Sequence, residues 1–244
     1  MQQIFIEQEP INGRFVIGGG DAHHLIRVVR LRVGERLRVS TSVGDNYICT
    51  VESIDDKELS VTIESEVQST ELANRIYLFQ AIPKGDRMEN IIEKCVELGV
   101  YEIIPVEMKN CIVRLDDKKR KSKVERYQTI AKSAAEQSKR SIIPRIHSIM
   151  KYRDAIDYAR QCKHVILPYE SKNGMQDTFN VLKNINKGED IAVIIGPEGG
   201  FDKSEIDMVV DDAEIISLGG RILRTDTAAI CSLSMLMLRC EEIQ

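Results

Sequence analysis

Two short, mainly apolar runs, Ile191–Ile195 and Ala213–Leu218, each lead straight into a glycine-rich turn, and this limits what the chain can fold into more than any other feature. Five of the fifteen glycines lie in these turns, at positions 196, 199, 200, 219 and 220. The first run, IAVII, holds no polar residue, which is how a strand covered on both faces of a parallel sheet reads. A chain that leaves such a strand on glycine can bring its backbone close to a ligand, because no Cβ intervenes. In open α/β sheets ligands lie outside the carboxyl ends of the strands. The two turns therefore predict a small-molecule site at that edge.

Upstream of these runs, strand and helix patterns alternate. Arg75–Ile82 reads as a strand ending at Pro83-Lys84-Gly85. Asp86 then opens a helix that places Met88, Ile91, Ile92, Cys95 and Val96 on one side, with Gly99 closing it. Glu102–Val106 is the next strand. The spacing predicts a helix from Ser122 to about Lys139, with Val124, Tyr127, Ala131, Ala134 and Ala135 inward and Lys123, Arg126 and Lys132 outward. Tyr152–Gln161 follows as a helix, and His164–Leu167 as a strand ending at Pro168-Tyr169-Glu170. The last helix, about Thr227–Glu241, is apolar on several sides and reads as buried, in part against a second subunit. The alternation predicts βαβ units and a largely parallel sheet.

Residues 1–70 have a different texture. Candidate strands are Gln3–Glu7, Arg14–Ile17, Arg36–Ser40, Asn46–Ile54 and Leu59–Glu64. One helix interrupts them, with Asp21 as its expected N-cap. On it His24, Arg27 and Arg30 are three apart and share about 120° of one face. The polar stretch 66–74 reads as a linker. This gives a small β-rich domain over 1–71 and an α/β domain over 72–244.

Net charge is −4. The middle of the chain is nevertheless basic: residues 71–150 carry 16 Lys and Arg against 11 Asp and Glu. An arginine cluster (27, 30, 32, 36, 38) stands in the otherwise acidic first part. A local patch, not the global charge, steers a polyanion, and Arg offers phosphate a bidentate fork. The six cysteines are scattered without a C-x-x-C pair, which argues against zinc and a disulfide framework and for a reducing, cytoplasmic setting. No apolar run reaches the length of a membrane span, and the N-terminus lacks the pattern of a signal peptide. There is no P-loop, no opening G-x-G-x-x-G unit, no G-x-S-x-G and no histidine cluster with metal spacing.

The remaining combination is a glycine-lined pocket, a basic surface and a small β domain. IIGPEGGF (194–201) and LGGRILRTDTA (218–228) resemble the two C-terminal signatures of the bacterial 16S ribosomal RNA uridine N3-methyltransferases of the SPOUT class. HHLIRVVR (23–30), KGDRMENIIEKCVELGV (84–100) and SAAEQSKRSIIP (133–144) extend the resemblance over the whole chain. It implies an N-terminal PUA-like β-barrel that binds RNA and a C-terminal α/β-knot domain. It also implies a homodimer that uses S-adenosylmethionine and acts on 16S rRNA of the small ribosomal subunit, with no metal and no membrane. Three loops would cradle the cofactor: Leu167 and Pro168 on to Glu170; Ile195, Gly196, Pro197, Glu198, Gly199 and Gly200; and Leu218, Gly219, Arg221, Ile222 and Leu223, with Thr227 beyond. The RNA-facing candidates are His24, Arg27, Arg30, Arg32, Lys84, Arg126 and Lys139.

Methylation at N3 of uridine must remove an imide proton and stabilise negative charge on O2 and O4 of the base. Arg224 or Arg140 is expected to stabilise that charge, and Asp226 to orient an arginine or accept the proton. Asp226 stands where the family signature has Glu, one methylene longer, and also where an N-cap for the last helix would fall. Two rival readings stay open at this stage. One is a non-catalytic RNA-binding assembly factor; the other is a methyltransferase of the same fold acting on tRNA or on a ribose 2′-oxygen.

Overall fold

A computed structural model describes residues 1–169 and 174–244. It divides into two compact units, Met1–Glu71 with Ala135–Ile143, and Leu72–Ala134 with Pro144–Gln244. The second segment of the first unit lies 64 residues beyond the expected boundary at 71/72, a return that nothing in the linker composition signals.

The first unit is a five-stranded sheet in the order β1-β3-β4-β5-β2. Its strands are β1 (Gln2–Ile6), β2 (Arg14–Gly18), β3 (Arg36–Thr41), β4 (Asn46–Ile54) and β5 (Glu58–Glu66). Only the β1–β3 pairing is parallel. Phe15, Leu37, Val39, Val51, Leu59 and Val61 alternate inward to form its core. The helix begins three residues earlier than an N-cap at Asp21 predicts, with Gly18 as N-cap: α1 (Gly19–His23) runs into a π-helical turn over His24–Val29. Leu25 is fully buried, while Ile26 and Val29 pack on the core from its edge. Arg30 ends the turn in the left-handed region at φ 61°. The π turn closes i→i+5 bonds, so His24, Arg27 and Arg30 do not keep α-helical spacing. The returning segment is tied in by polar bonds: Gln3 Nε2 donates to the Arg140 carbonyl at 2.7 Å and to Ser40 Oγ at 3.2 Å.

The second unit holds a parallel sheet in the order β12-β10-β11-β6-β7-β8, with β9 also on β7. In chain order its elements are β6 (Ile76–Ala81), α2 (Arg87–Glu97), β7 (Glu102–Glu107), α3 (Asp117–Ser138), β8 (Arg145–Ile146), β9 (Met150–Lys151) and α4 (Tyr152–Ala159). Then follow β10 (His164–Pro168), α5 (Gln176–Asn184), β11 (Ile191–Ile195), α6 (Lys203–Asp207), β12 (Glu214–Ile216) and α7 (Thr225–Glu242). Every residue of β6 and β11 is buried, the signature of strands covered on both faces. The α/β expectation holds here. Two helices start earlier than expected: α3 at Asp117, taking the charge run 117–121 into its first turns, and α7 at Thr225. The last four residues of α3 are counted with the first unit.

β11 arrives late in the chain yet fills the slot between β10 and β6. From the edge strand β12 the chain then turns back, and α7 packs on α2, α5, β6 and β11.

Gly99 ends α2 at φ 91°, and a Cβ there would sit 2.8 Å from Leu72 Cδ1. Gly99→Ala combines left-handed strain with overpacking and should lower stability by about 1–3 kcal/mol in urea unfolding.

Candidate functional site

The adjacent strands β12, β10 and β11 deliver Ile216, Pro168 and Ile195 to one carboxyl edge. Leu167 and Ile195 are themselves core residues, so only their backbone can face a ligand. The expected loop after Pro168 reaches Glu170, which lies outside the described residues.

The loop after β11 is held from several sides. A Cβ at Gly196 would lie 2.8 Å from the Phe201 ring, and one at Gly199 would lie 3.1 Å from Asn110 Cβ. These two glycines answer first to packing within the chain. Asn110 Nδ2 donates to the Gly200 carbonyl at 3.0 Å and to that of Gly199 at 3.3 Å. Glu198 accepts from the Lys84 amide at 3.0 Å and from Arg87 at 2.5 Å. Partial burial opposes its ionisation, but the backbone amides of Glu198 and Lys84 and the Arg87 guanidinium outweigh that and hold its pKa low. Its carboxylate therefore latches the loop to the turn before α2. Asp202 caps α6, and hydrogen bonds from Lys109 and Ser204 hold its carboxyl down at about 2.

The loop after β12 is anchored only at its start. Thr178 Oγ1 donates to the Ser217 carbonyl at 2.8 Å and accepts from the Ser217 amide at 3.0 Å. Gly219 follows at φ 101°, with only Arg221 Nη2 within 4 Å of where a Cβ would be. Among the described residues the amides of Gly220, Arg221, Ile222 and Leu223 make no hydrogen bond, and neither do the side chains of Arg221 and Arg224. Ile222 is 87% exposed. Arg224 is the N-cap of α7, in extended conformation, and Asp226 sits inside the first turn; the N-cap role expected for Asp226 belongs to Arg224. Asp226 Oδ1 is buried and has no hydrogen-bond partner. Thr227 is exposed one residue on.

This edge therefore presents unengaged backbone donors, an apolar side chain, two unpaired guanidinium groups and one orphaned buried acceptor. A nucleoside with hydroxyl and amine donors fits that set, because a buried oxygen without a partner is otherwise costly. A cavity of about 600 Å³ opens at the opposite, amino edge of the sheet, beside Arg75, Lys163, Glu189 and Asp190. Its charges are balanced, and Glu189 is already bound to His164 and the Asn186 amide. The residues singled out for cofactor and catalysis lie instead at the carboxyl edge.

Arg140 is a correction. Its guanidinium is 4% exposed and grips Glu71 through Nε at 2.9 and 3.0 Å and through Nη2, inside the first unit. Glu71 also accepts from the Ser141 amide at 2.7 Å. Such a buried pair serves the fold and is not at hand to steady a substrate anion. Lys139 is a second correction. It is half-buried in left-handed conformation, donates to the Glu136 carbonyl, and has its pKa lowered by burial and then by Arg38. Arg126 is paired with Glu89 at 2.8 Å. His24, Arg27, Arg30 and Arg32 are exposed, as expected of an RNA-facing group. Arg27 meets only the 96%-exposed Asp56 at 3.6 Å, a weak surface contact. The Lys84 side chain is exposed too.

Gln80 and Thr225 escaped the sequence reading. Gln80 Nε2 donates to Thr225 Oγ1 at 2.9 Å, and Thr225 Oγ1 donates to the Gly196 carbonyl at 2.8 Å. The available signal was one amide inside an otherwise apolar strand, IYLFQA.

The chain is similar to known proteins over nearly its whole length. Residues 70–237 match the model of an RNA methyltransferase domain, and residues 17–64 that of an RNA methyltransferase PUA domain. The ribosomal RNA small subunit methyltransferase E of Bacillus subtilis is 34% identical, over 99% of this chain and 98% of that protein. That of Mesomycoplasma hyopneumoniae is 30% identical, over 94% and 96%. The crystal structure of the Neisseria gonorrhoeae ribosomal RNA small subunit methyltransferase E bound to S-adenosyl methionine superposes with a TM-score of 0.84, at 27% identity, over 98% and 97% of the two chains.

Arg140→Ala would leave the largely buried Glu71 carboxylate with backbone amide donors but without its guanidinium partner. The expected loss is about 3–5 kcal/mol in denaturant unfolding.

Proposed function

This chain belongs to the PUA-bearing RNA methyltransferase family, and from that premise we propose that it transfers the methyl group of S-adenosylmethionine to N3 of a uridine in the 16S rRNA of the small ribosomal subunit. The observation that carries the chemistry is the closeness in the chain, at the start of one helix, of a buried carboxylate oxygen and a guanidinium that both lack a partner among the described residues, Asp226 and Arg224. The amides of Gly220–Leu223 and the strand ends at Leu167 and Ile195 would hold the cofactor. When bound, it supplies an electrophilic methyl group on sulfur.

The residues of the chain do the rest. Arg224 faces the negative charge that develops on the uracil oxygens as the imide proton leaves. Asp226 accepts that proton at Oδ1, or holds Arg224 against the base. Fixing both on the first turn of a long helix limits the reorganisation needed at the moment of transfer. Arg27, Arg30, Arg32 and His24 contact RNA phosphates from the first unit. With ribosomal RNA as its substrate, the protein works in the cytoplasm.

The reading includes a second copy. On α7, Leu238 is 63% exposed, and Cys231 and Ser234 on the preceding turns are partly exposed. An exposed leucine beside this partly open face, on the helix that bears the catalytic pair, suits pairing with the same helix of a second chain. Leu238→Glu should shift the protein from dimer to monomer in analytical ultracentrifugation.

Nucleoside mass spectrometry of small subunits incubated with the protein and cofactor tests the reaction: a gain of 3-methyluridine is expected, and its absence overturns the reading. In single-turnover assays across pH, Asp226→Asn should slow transfer by about 10²–10⁴-fold if Asp226 is the proton acceptor. Arg224→Ala should cost about 10²–10³-fold while cofactor binding by calorimetry persists.

A further inference from the structure

Three elements distant in sequence meet on one hydroxyl. Gln80 is the penultimate residue of β6, fully buried, and its Nε2 donates both to the Ala81 carbonyl and to Thr225 Oγ1, each at 2.9 Å. Thr225, 5% exposed, is the first residue of α7. Its hydroxyl proton goes to the Gly196 carbonyl at 2.8 Å, at the end of β11. A hydroxyl has one proton, so Thr225 must accept from Gln80, and the chain of bonds has a fixed direction. The amide cannot be reversed, since Gln80 Oε1 would then face two acceptors already committed, the Ala81 carbonyl and a hydroxyl whose proton is engaged. The arrangement leaves Gln80 Oε1 buried without a partner. An unmet acceptor beside a satisfied relay means that this orientation is kept for what the donors do.

We propose that Gln80 and Thr225 are positioning residues for methyl transfer: their relay fixes the first turn of α7 against the Gly196 loop, so that Arg224 and Asp226 are set relative to the bound cofactor. Thr225 lies between those two residues in the chain. Any displacement of its hydroxyl moves both, and moves them away from the loop whose carbonyl it holds. The relay also makes the Gly196–Gly200 loop and the first turn of α7 one mechanical unit. The α7 turn therefore senses cofactor bound at that loop. This inference rests on the catalytic assignment of Arg224 and Asp226.

The test uses the full chain. Thr225→Val removes the hydroxyl at nearly constant shape; Thr225→Ser restores it; Gln80→Leu removes the donor. In methylation of small subunits, Thr225→Val is expected to lower kcat by about 10–100-fold with KM for the subunit within about threefold, and Thr225→Ser to recover most of the loss. Gln80→Leu should lose kcat as well, and the double variant should lose little more than Thr225→Val alone, as members of one network do. A kcat for Thr225→Val within twofold of the unsubstituted protein overturns the relay, as does an equal loss in Thr225→Ser. Asp226→Asn is run alongside. If it alone is inactive, the relay fails and the catalytic assignment stands; if it is fully active, the assignment fails.

Amide hydrogen exchange supplies a readout that needs no turnover. S-adenosylmethionine should protect both Gly196–Gly200 and the first turn of α7 in the unsubstituted protein, but only Gly196–Gly200 in Thr225→Val. Equal protection of both segments in the two proteins overturns the coupling. Should Gln80→Leu fail to fold, the comparison of Thr225→Val with Thr225→Ser decides the matter by itself.

Discussion

The burial of β6 and β11 on both faces governs the second unit. A strand covered on each side has no solvent to receive a polar group, so polar chemistry is pushed to its end or must be bonded inside the fold. Ile191–Ile195 obeys without exception and releases its first polar contacts at Gly196. β6 breaks the rule once, at Gln80, and that one amide is bonded to the first residue of α7. The site is thus an outcome of where a dry sheet can tolerate hydrogen bonds.

The two glycine loops are built differently. The loop after β11 is braced by side chains from elsewhere: Asn110 on its carbonyls, Glu198 on the turn before α2, Phe201 against Gly196. The loop after β12 is fixed at Ser217 by Thr178, and beyond Gly219 the amides of residues 220–223 are unengaged among the described residues. One rigid wall and one wall of open donors make a sound receptacle for a small, donor-rich molecule, since the first sets geometry and the second supplies binding. Asp226 and Arg224 come directly after the open wall, on the helix that begins there.

Much of this was legible in the residues. The strands of the first unit fall within a residue or two of their apolar alternation, and α2 carries the inward set that its spacing dictates. The glycine turns do follow strands that end together at one carboxyl edge. What escaped had physical causes. The π turn over His24–Val29 is set by how Leu25 and Ile26 seat on the sheet, a tertiary matter that helical spacing ignores. The charge run 117–121 looks like solvated loop, yet four of its five residues are Lys or Arg, which are good helix formers. Arg140 and Arg224 are alike as letters; only burial separates the one gripped by Glu71 from the one that has no partner among the described residues. Asp226 as an N-cap was a fair local inference that failed because the helix starts two residues earlier, at Thr225 with Arg224 as its N-cap.

The ion pair between Glu71 and Arg140 joins the end of one stretch of chain to a segment 69 residues later, within a single compact unit. That unit is therefore discontinuous, and its integrity depends on residues encoded beyond much of the other. Cut at its apparent boundary, the small sheet would keep a carboxylate without its cation and Gln3 without its carbonyl acceptor. Such a piece cannot be shuffled between genes as a cassette; the two modules would have to be inherited, exchanged or engineered together.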